Sequence, residues 1–378
     1  MSNQVVTVNQ DRLIQEFLEL VQIYSPSRRE REVSLVIVDK LTALGLEVYE
    51  DSAGAAIGSG SGNIIARLPA TAGQTKPAIF FSAHLDTVEP GENVQPVLAE
   101  GIISSRGETI LGGDDKAGIA AILEALRLVK ELGIAHGELE VVLTVCEEVG
   151  LLGAANLEYQ RLNSRMGFIL DAAGPVGTII VQGPAQIRLE AGIIGKAAHA
   201  GVCPEEGISA IQVAAQAISQ MKLGRIDAET TANIGLIEGG KAINIVPELV
   251  NLKGEARSLK PAKLEAQTKH MVDTLEQVAK AAGAKAQVRT EQIYAQIDLA
   301  PDSPAVLAAV KAAENLGIPA KLEATGGGSD ANIFCGQGLA AVNLGIGMNN
   351  VHTTQETMAV ADLMNTVRYL VEIIKVVE

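Results

Sequence analysis

Only three cysteines, Cys146, Cys203 and Cys335, occur in 378 residues, and no two are spaced as Cys-x-x-Cys. A set that is odd and scattered excludes a disulfide framework and a thiolate zinc site, and leaves three reduced thiols. Long hydrophobic runs are lacking too. No stretch reaches the roughly eighteen uncharged apolar residues that cross a bilayer, and the polar opening MSNQVVTVNQ has no apolar signal-peptide core. The expected location is the cytoplasm, with no membrane as partner. Basic residues are outnumbered: 30 Lys and Arg against 45 Asp and Glu give a formal charge of −15. That balance disfavours nucleic acid as a partner, because such binding needs a basic footprint. No G-x-x-x-x-G-K-[ST] phosphate loop, internal repeat or low-complexity tail is present, so a nucleoside triphosphatase is not expected.

What is present is the composition of a soluble globular protein, 47% apolar with mixed charges. The length favours two domains, or one that carries an insertion. The first fifty residues give two helices, DRLIQEFLELVQIY and REVSLVIVDKLTAL, separated by SPS. NIIARL (63–68), AIFFSAH (78–84), ELEVVLTV (138–145), GFILD and GTIIVQ read as strands. Among them lie the amphipathic helix KAGIAAILEALRLVKEL and the glycine-rich SAGAAIGSGSG, which reads as a loop. Such alternation implies a mostly parallel α/β sheet with helices on both faces. From about residue 185 the pattern changes: QIRLEAGIIG and LVNLKGEARSL alternate as antiparallel strands do, and they bracket two helices. After YAQIDLAP the first pattern returns, with a helix over 302–316, the strand KLEA, the loop TGGGSDANIF, the strand AVNLGI and a closing helix from Glu356. The expected architecture is an α/β domain over residues 1–184 and 295–378, interrupted by an α+β sandwich over 185–294.

His84 and Asp86 in SAHLDT, Asp114 in GGDDK, Glu147 and Glu148 in CEEVG, Asp171 in FILDAAG and His352 in NVHTT fall at the ends of expected strands. Taken singly, each has an ordinary reading as a cap, a satisfied polar residue or a solvated charge. Together they have another. The carboxyl ends of parallel strands form the ligand crevice of such a sheet, so these side chains converge there. Five carboxylates crowded in one crevice shift their pKa values strongly or need cations, and two divalent ions nearly cancel them. Imidazole with carboxylate, and no thiolate, suits zinc, manganese or cobalt.

In this order and context, HLDT, GGDDKAG, EEVG, LDAAG and VHTTQE resemble the co-catalytic two-metal exopeptidases, in particular the peptidase T-like branch, over essentially the whole chain. The resemblance implies a phosphorylase/hydrolase-like catalytic domain with an inserted lid or dimerisation domain, and two divalent metal ions, zinc first, manganese or cobalt as alternatives. It makes His84, Asp114 and Asp171 ligands of one metal, with Asp114 bridging to a second held by Glu148 and His352. It makes Glu147 the general base. Asp86, two positions beyond His84, is expected to hold the far ring nitrogen of His84 through its carboxylate. The resemblance also implies a cis peptide between Asp114 and Asp115, which the residues themselves leave open. In the inserted domain, the resemblance assigns oxyanion stabilisation to His199 in GKAAHAG, often in the neighbouring subunit's site, and puts Asn244 and Arg257 near the substrate. Gly327 and Ser329 would line the substrate pocket. One departure stands out: many peptidase T-like enzymes have Arg-Gly-Gly-Thr-Asp where this chain has Gly326-Gly327-Gly328-Ser329-Asp330. That removes an arginine able to pair with a substrate carboxylate. His136 and His270 lack supporting neighbours and read as surface residues, and Lys116 as local charge balance.

The activity implied is hydrolysis of amide bonds in short peptides, aminopeptidase- or tripeptidase-like. The same centre also serves N-acyl amino acid deacylases, other amidohydrolases and carboxypeptidase-type exopeptidases. A non-catalytic binding protein with a relic site would have lost ligands, whereas no matched metal position is substituted here. A homodimer formed through the inserted domain follows by analogy.

Overall fold

The computed structural model describes residues 6–378, and the chain folds as two compact units. The first runs through Val181 and resumes at Asp298–Ala324 and Ser329–Glu378; the second comprises Gln182–Ile297 and Thr325–Gly328.

In the first unit, strands Leu139–Thr144, Ile79–His84, Met166–Ala172 and Ala340–Gly345 lie side by side in that order, all parallel. Antiparallel strands extend the sheet, Ile64–Leu68 and then Glu47–Glu50 at one side and Thr178–Gly183 at the other. The expected mostly parallel sheet thus has a parallel centre and antiparallel margins. Every residue of Ile79–His84 and Leu139–Thr144 is buried, which requires cover on both faces. Neighbouring side chains of a strand point to opposite faces. Phe80 meets Phe334 of the Asp330–Gly336 helix at 5.1 Å between ring centroids, while Phe81 meets Phe168 at 5.7 Å in the main core. Each such buried ring contributes about 2–3 kcal/mol by leaving water. The Gly113–Glu131 helix is buried along nearly its whole length and packs against Gln10–Val21 and Val360–Val376.

A second, four-stranded sheet of Met348–Asn349, Thr357–Ala359, Ile102–Ser105 and Pro96–Ala99 was not expected from the sequence. Its strands of two to four residues are too short to show a period of two. The chain between Met348–Asn349 and Thr357–Ala359 carries His352 and Glu356. Other local differences have local causes. SAGAAIGSGSG contains a short helix, Ala53–Ile57, closed by Gly58 at φ 71° in the left-handed region that glycine adopts freely. TGGGSDANIF is half helix, because the Ser329 side chain caps Asp330–Gly336. The closing helix starts at Val360 instead of Glu356, since Glu356 is turned inward and Thr357–Ala359 is strand.

The second unit is a five-stranded antiparallel sheet in the order Gly224–Arg225, Thr230–Gly239, Leu249–Ser258, Ala185–Ile194, Lys285–Tyr294. Leu189, Ile193, Val250 and Leu252 share a core with Val213 of the Ala210–Gln220 helix and Leu275 of Pro261–Ala281. The alternate residues Glu190 and Lys253 are exposed. Strands Thr230–Gly239 and Lys285–Tyr294 are largely exposed, so they carry little of the apolar alternation that reveals a strand in sequence.

Candidate metal centre

His84 ends its strand, and it is in register with Thr144 on the neighbouring parallel strand, so Glu147 and Glu148 follow at the same sheet edge. Asp171 lies near the end of Met166–Ala172, and Asp114 stands at the start of the Gly113–Glu131 helix. His84 Nε2 is 3.0 Å from Asp114 Oδ1 and 4.0 Å from Asp171 Oδ1. His352 Nε2 is 3.2 Å from Asp114 Oδ2 and 2.9 Å from Glu148 Oε1. The two oxygens of one carboxylate therefore address two different histidines. One ligand atom each from His84, Asp114 and Glu148 falls within 4.8 Å of the others, as a shared cation requires. Glu147 is buried beside this group.

Main-chain geometry at the site is held by buried acids that sequence reasoning did not single out, or gave a different task. The Asp86 carboxylate does not take the near position on His84: Nδ1 donates to the Asp86 main-chain carbonyl at 2.7 Å, and the nearer carboxylate oxygen lies 3.7 Å away. Either acceptor leaves Nε2 free to face the cluster. The carboxylate instead accepts the N–H groups of Glu147 (2.9 Å) and Glu148 (3.2 Å) and the Ser27 hydroxyl (2.6 Å). Glu30, fully buried, accepts the N–H of Cys146 at 3.0 Å. Three consecutive main-chain donors, 146–148, are thus met by two carboxylates, and Cys146 sits at φ 54°. Asp115 engages main-chain donors; it accepts the His84 N–H at 3.3 Å and the Gly118 N–H at 3.2 Å. The Asp114–Asp115 peptide is cis. Asn343 Oδ1 accepts the Asp171 N–H, and Thr144 donates to Asp330, whose Oδ1 is buried without a hydrogen-bond partner among the described residues. The one sequence sign of Glu30 is its position shortly after SPS; its role depends on tertiary contact.

Burial disfavours a charged His84 ring, but the hydrogen bond and charge of Asp114, with Glu147 and Asp171, hold its pKa well above the usual histidine value. Hydrogen bonds to Asp114 and Glu148 push His352 up to about 10. Asp114 is buried, yet contacts with His352 and His84 pull its carboxyl below the ordinary range. Burial first, then the charges around them, drives Glu147 and Asp171 up; burial also raises Asp115 and Asp86 and carries Asp330 to about 6. Raised carboxyl and imidazole pKa values in one buried cluster mark a site where a divalent cation would take the place of protons. The donor set of imidazole and carboxylate fits a divalent ion such as zinc.

Residues 80–376 match the model of peptidase family M20/M25/M40. The chain belongs to this family. It is accordingly an enzyme, a metallopeptidase of the M20 type, and the likeness to the peptidase T branch holds in the solved structures. The M20 chain is 46% identical to the uncharacterized protein YqjE of Bacillus subtilis (strain 168) over 368 residues, 97% of this chain and 99% of that one. It superposes on the crystal structure of aminopeptidase PepT from Bacillus cereus ATCC 10987 with a TM-score of 0.89 at 46% identity, covering 97% of this chain and 98% of the other. A tripeptidase from Staphylococcus aureus subsp. aureus Mu50 gives a TM-score of 0.92 at 44% identity, covering 98% and 99%.

Within the second unit of this M20 peptidase, His199 and Asn244 are exposed neighbours: His199 bridges Ile245, and the Ala200 N–H donates to the Asn244 carbonyl at 3.0 Å. Arg257 forks onto Glu255, with Nε at 2.9 Å and Nη2 at 3.1 Å, so its charge already has a partner. The Gly327 N–H donates to Thr325 Oγ1, and a Cβ on Gly328 would meet the Tyr294 ring at 2.3 Å. In the first unit, the Ser329 hydroxyl is buried, capping its helix and accepting from Asn343 Nδ2 at 3.1 Å. Lys116 donates to the Ile23 carbonyl, and burial lowers its pKa to about 7. His136, expected at the surface, is buried, with Nδ1 on the Gly137 carbonyl at 2.6 Å and its main-chain N–H on Thr71 Oγ1 at 3.1 Å, a contact that no sequence neighbour reveals. Among the described residues, no helix is long and apolar enough to cross a membrane.

Proposed function

We propose that this M20 chain is a two-metal exopeptidase that cleaves short peptides, of aminopeptidase or tripeptidase type. The observation that carries the reading is Asp114, whose Oδ1 faces His84 while Oδ2 faces His352. His84, Asp114 and Asp171 would hold one cation; Asp114, Glu148 and His352 would hold the other. Zinc suits this donor set, with manganese and cobalt as alternatives. When bound, such cations polarise the scissile carbonyl and make a water molecule acidic near neutral pH.

The chain's own groups do the rest. Glu147, buried and with a raised pKa, takes a proton from the attacking water on a carboxylate oxygen and returns it to the departing amine nitrogen. Asp86 and Glu30 hold the main chain that aims Glu147 and Glu148. His84 keeps its tautomer through the Asp86 carbonyl. His199 and Asn244 are assigned to the developing oxyanion and the substrate, and Arg257, Gly327 and Ser329 to the substrate pocket.

A second reading is hydrolysis of N-acyl amino acids on the same centre, because with Gly326 in place of an arginine nothing at that position selects strictly for a tripeptide. The reading extends to a cytoplasmic homodimer formed through the second unit, where Leu236, Ile237 and Ile243 are exposed. A panel of free-amino dipeptides and tripeptides against N-acyl amino acids, run on cation-reconstituted protein with products identified by mass, separates the two activities.

A further inference from the structure

Asp115 Oδ1 caps the regular helix through the Gly118 N–H, but the turn before it, residues 111–114, has no local acceptor. Gly112 occupies the N-cap position at φ 74° with no side chain to accept a hydrogen bond, and Asp114 and Asp115 are themselves non-helical. Free N–H groups at a buried helix start need acceptors. They find them far away in sequence. Glu356 Oε2 accepts the N–H of Leu111 at 2.9 Å and of Gly112 at 2.8 Å, and Oε1 accepts the N–H of Asp114 at 3.0 Å. Glu356 is only 3% exposed, and a Cβ on Gly113 would stand 3.0 Å from its Oε1. Gly113 of GGDDK therefore makes room for a carboxylate delivered from another part of the chain.

The same turn that delivers Glu356 also delivers His352. The Glu356 N–H donates to the Thr353 carbonyl at 3.1 Å, and Thr357–Ala359 anchors the turn by pairing with Ile102–Ser105. His352 touches Asp114 Oδ2 at 3.2 Å, while Glu356 touches Asp114 N. Asp114 is thus gripped from its side chain and from its main chain by one short segment. A further negative charge beside so acidic a cluster is an unfavourable choice for a mere cap, which a serine or asparagine supplies at no charge. A carboxylate, however, offers two equivalent acceptor oxygens to donors on both sides of Gly113.

We infer that Glu356 is a positioning residue of the metal centre, fixing residues 111–114 so that one oxygen of Asp114 faces His84 and the other faces His352, the two histidines that would hold separate cations. The inference rests on the two-metal reading above. It is tested by Glu356→Gln, an isosteric change that leaves one acceptor oxygen and sets an amide NH2 against a main-chain N–H. The protein is stripped with a chelator, and cobalt affinity is measured by competition, alongside kcat and KM. Expected are cobalt binding weakened about tenfold or more at one of the sites, a fall in kcat and an unchanged KM. Cobalt affinity and kcat within about twofold of the unaltered enzyme would overturn the role of Glu356 alone, provided the unaltered enzyme binds cobalt stoichiometrically. If the unaltered enzyme binds none, both the inference and the two-metal reading fall. Should E356Q not fold, hydrogen exchange in the unaltered, stripped protein decides. Amides of Leu111, Gly112 and Asp114 that are protected support the grip, and exchange as fast as in exposed loops overturns it.

Discussion

His352 Nε2 lies 2.9 Å from Glu148 Oε1, across 204 positions of sequence, and the same nitrogen is 3.2 Å from Asp114 Oδ2. Three chain segments meet at one imidazole. If that nitrogen ligates a cation shared with Glu148 and Asp114, His352→Ala removes one of two cations and leaves the His84 side occupied. Metal analysis after gel filtration is expected to give about one ion per chain instead of about two, with a large loss of turnover.

Asp86 holds two main-chain N–H groups and a hydroxyl, so its removal acts on Glu147 and Glu148 without touching either side chain. Asp86→Asn keeps the volume but replaces one acceptor oxygen by a donor. Cation affinity or kcat is expected to fall by about 10- to 100-fold, the range for groups one step removed from a metal ligand. Chelator competition on the purified variant checks it.

The helix carrying Asp115 tolerates no side chain at Gly118, where a Cβ would stand 2.4 Å from Asp115 Oδ1 and 3.0 Å from Leu170 Cβ. Asp115 cannot yield without releasing the His84 N–H. Gly118→Ala is therefore expected to cost about 1–3 kcal/mol of stability, read as a lower Tm, and to weaken cation binding together with it.

Stripped of cations, the protein is expected to lose stability as pH rises from about 6 to about 9. The sign follows from groups whose folded pKa exceeds the unfolded one. His84 and His352, the latter at about 10, keep protons in the fold that the unfolded chain releases near 6.5. Asp115, Asp171 and Glu147 are raised as well, so they too hold protons that the unfolded chain has lost. Each contribution is present at low pH and disappears on the way up; the lowered Asp114 acts only at more acidic values. Cations replace those protons, so the Tm difference between loaded and stripped protein is expected to widen with pH. Parallel thermal melts check the slope, and a stripped protein more stable at the alkaline end contradicts it.

Much of this was legible in sequence because the chemistry lies in side chains within short motifs. HLDT, GGDDK, EEVG and VHTTQE put His84, Asp114, Glu148 and His352 at the ends of recognisable elements, and the structure brings those four together. What stayed hidden acts through the main chain. Glu30 on the Cys146 N–H and Glu356 on residues 111–114 look in sequence like ordinary surface acids; only the fold shows which N–H each one meets. Asp86 was found for the right place and the wrong atom, since a same-face pattern cannot tell a carboxylate from the carbonyl of the same residue. The strand Lys285–Tyr294, mostly exposed, gave no periodic apolar signal, whereas the fully buried Ile79–His84 stood out as a short, nearly continuous apolar run.

The central claim is that Glu147 moves the proton while other residues hold the cations. Glu147→Gln, with bound metal and turnover measured on the same preparation, tests it most directly. The account predicts about two ions per chain and a kcat lowered by about 100- to 10,000-fold. Turnover close to that of the unaltered enzyme with both ions in place would contradict it.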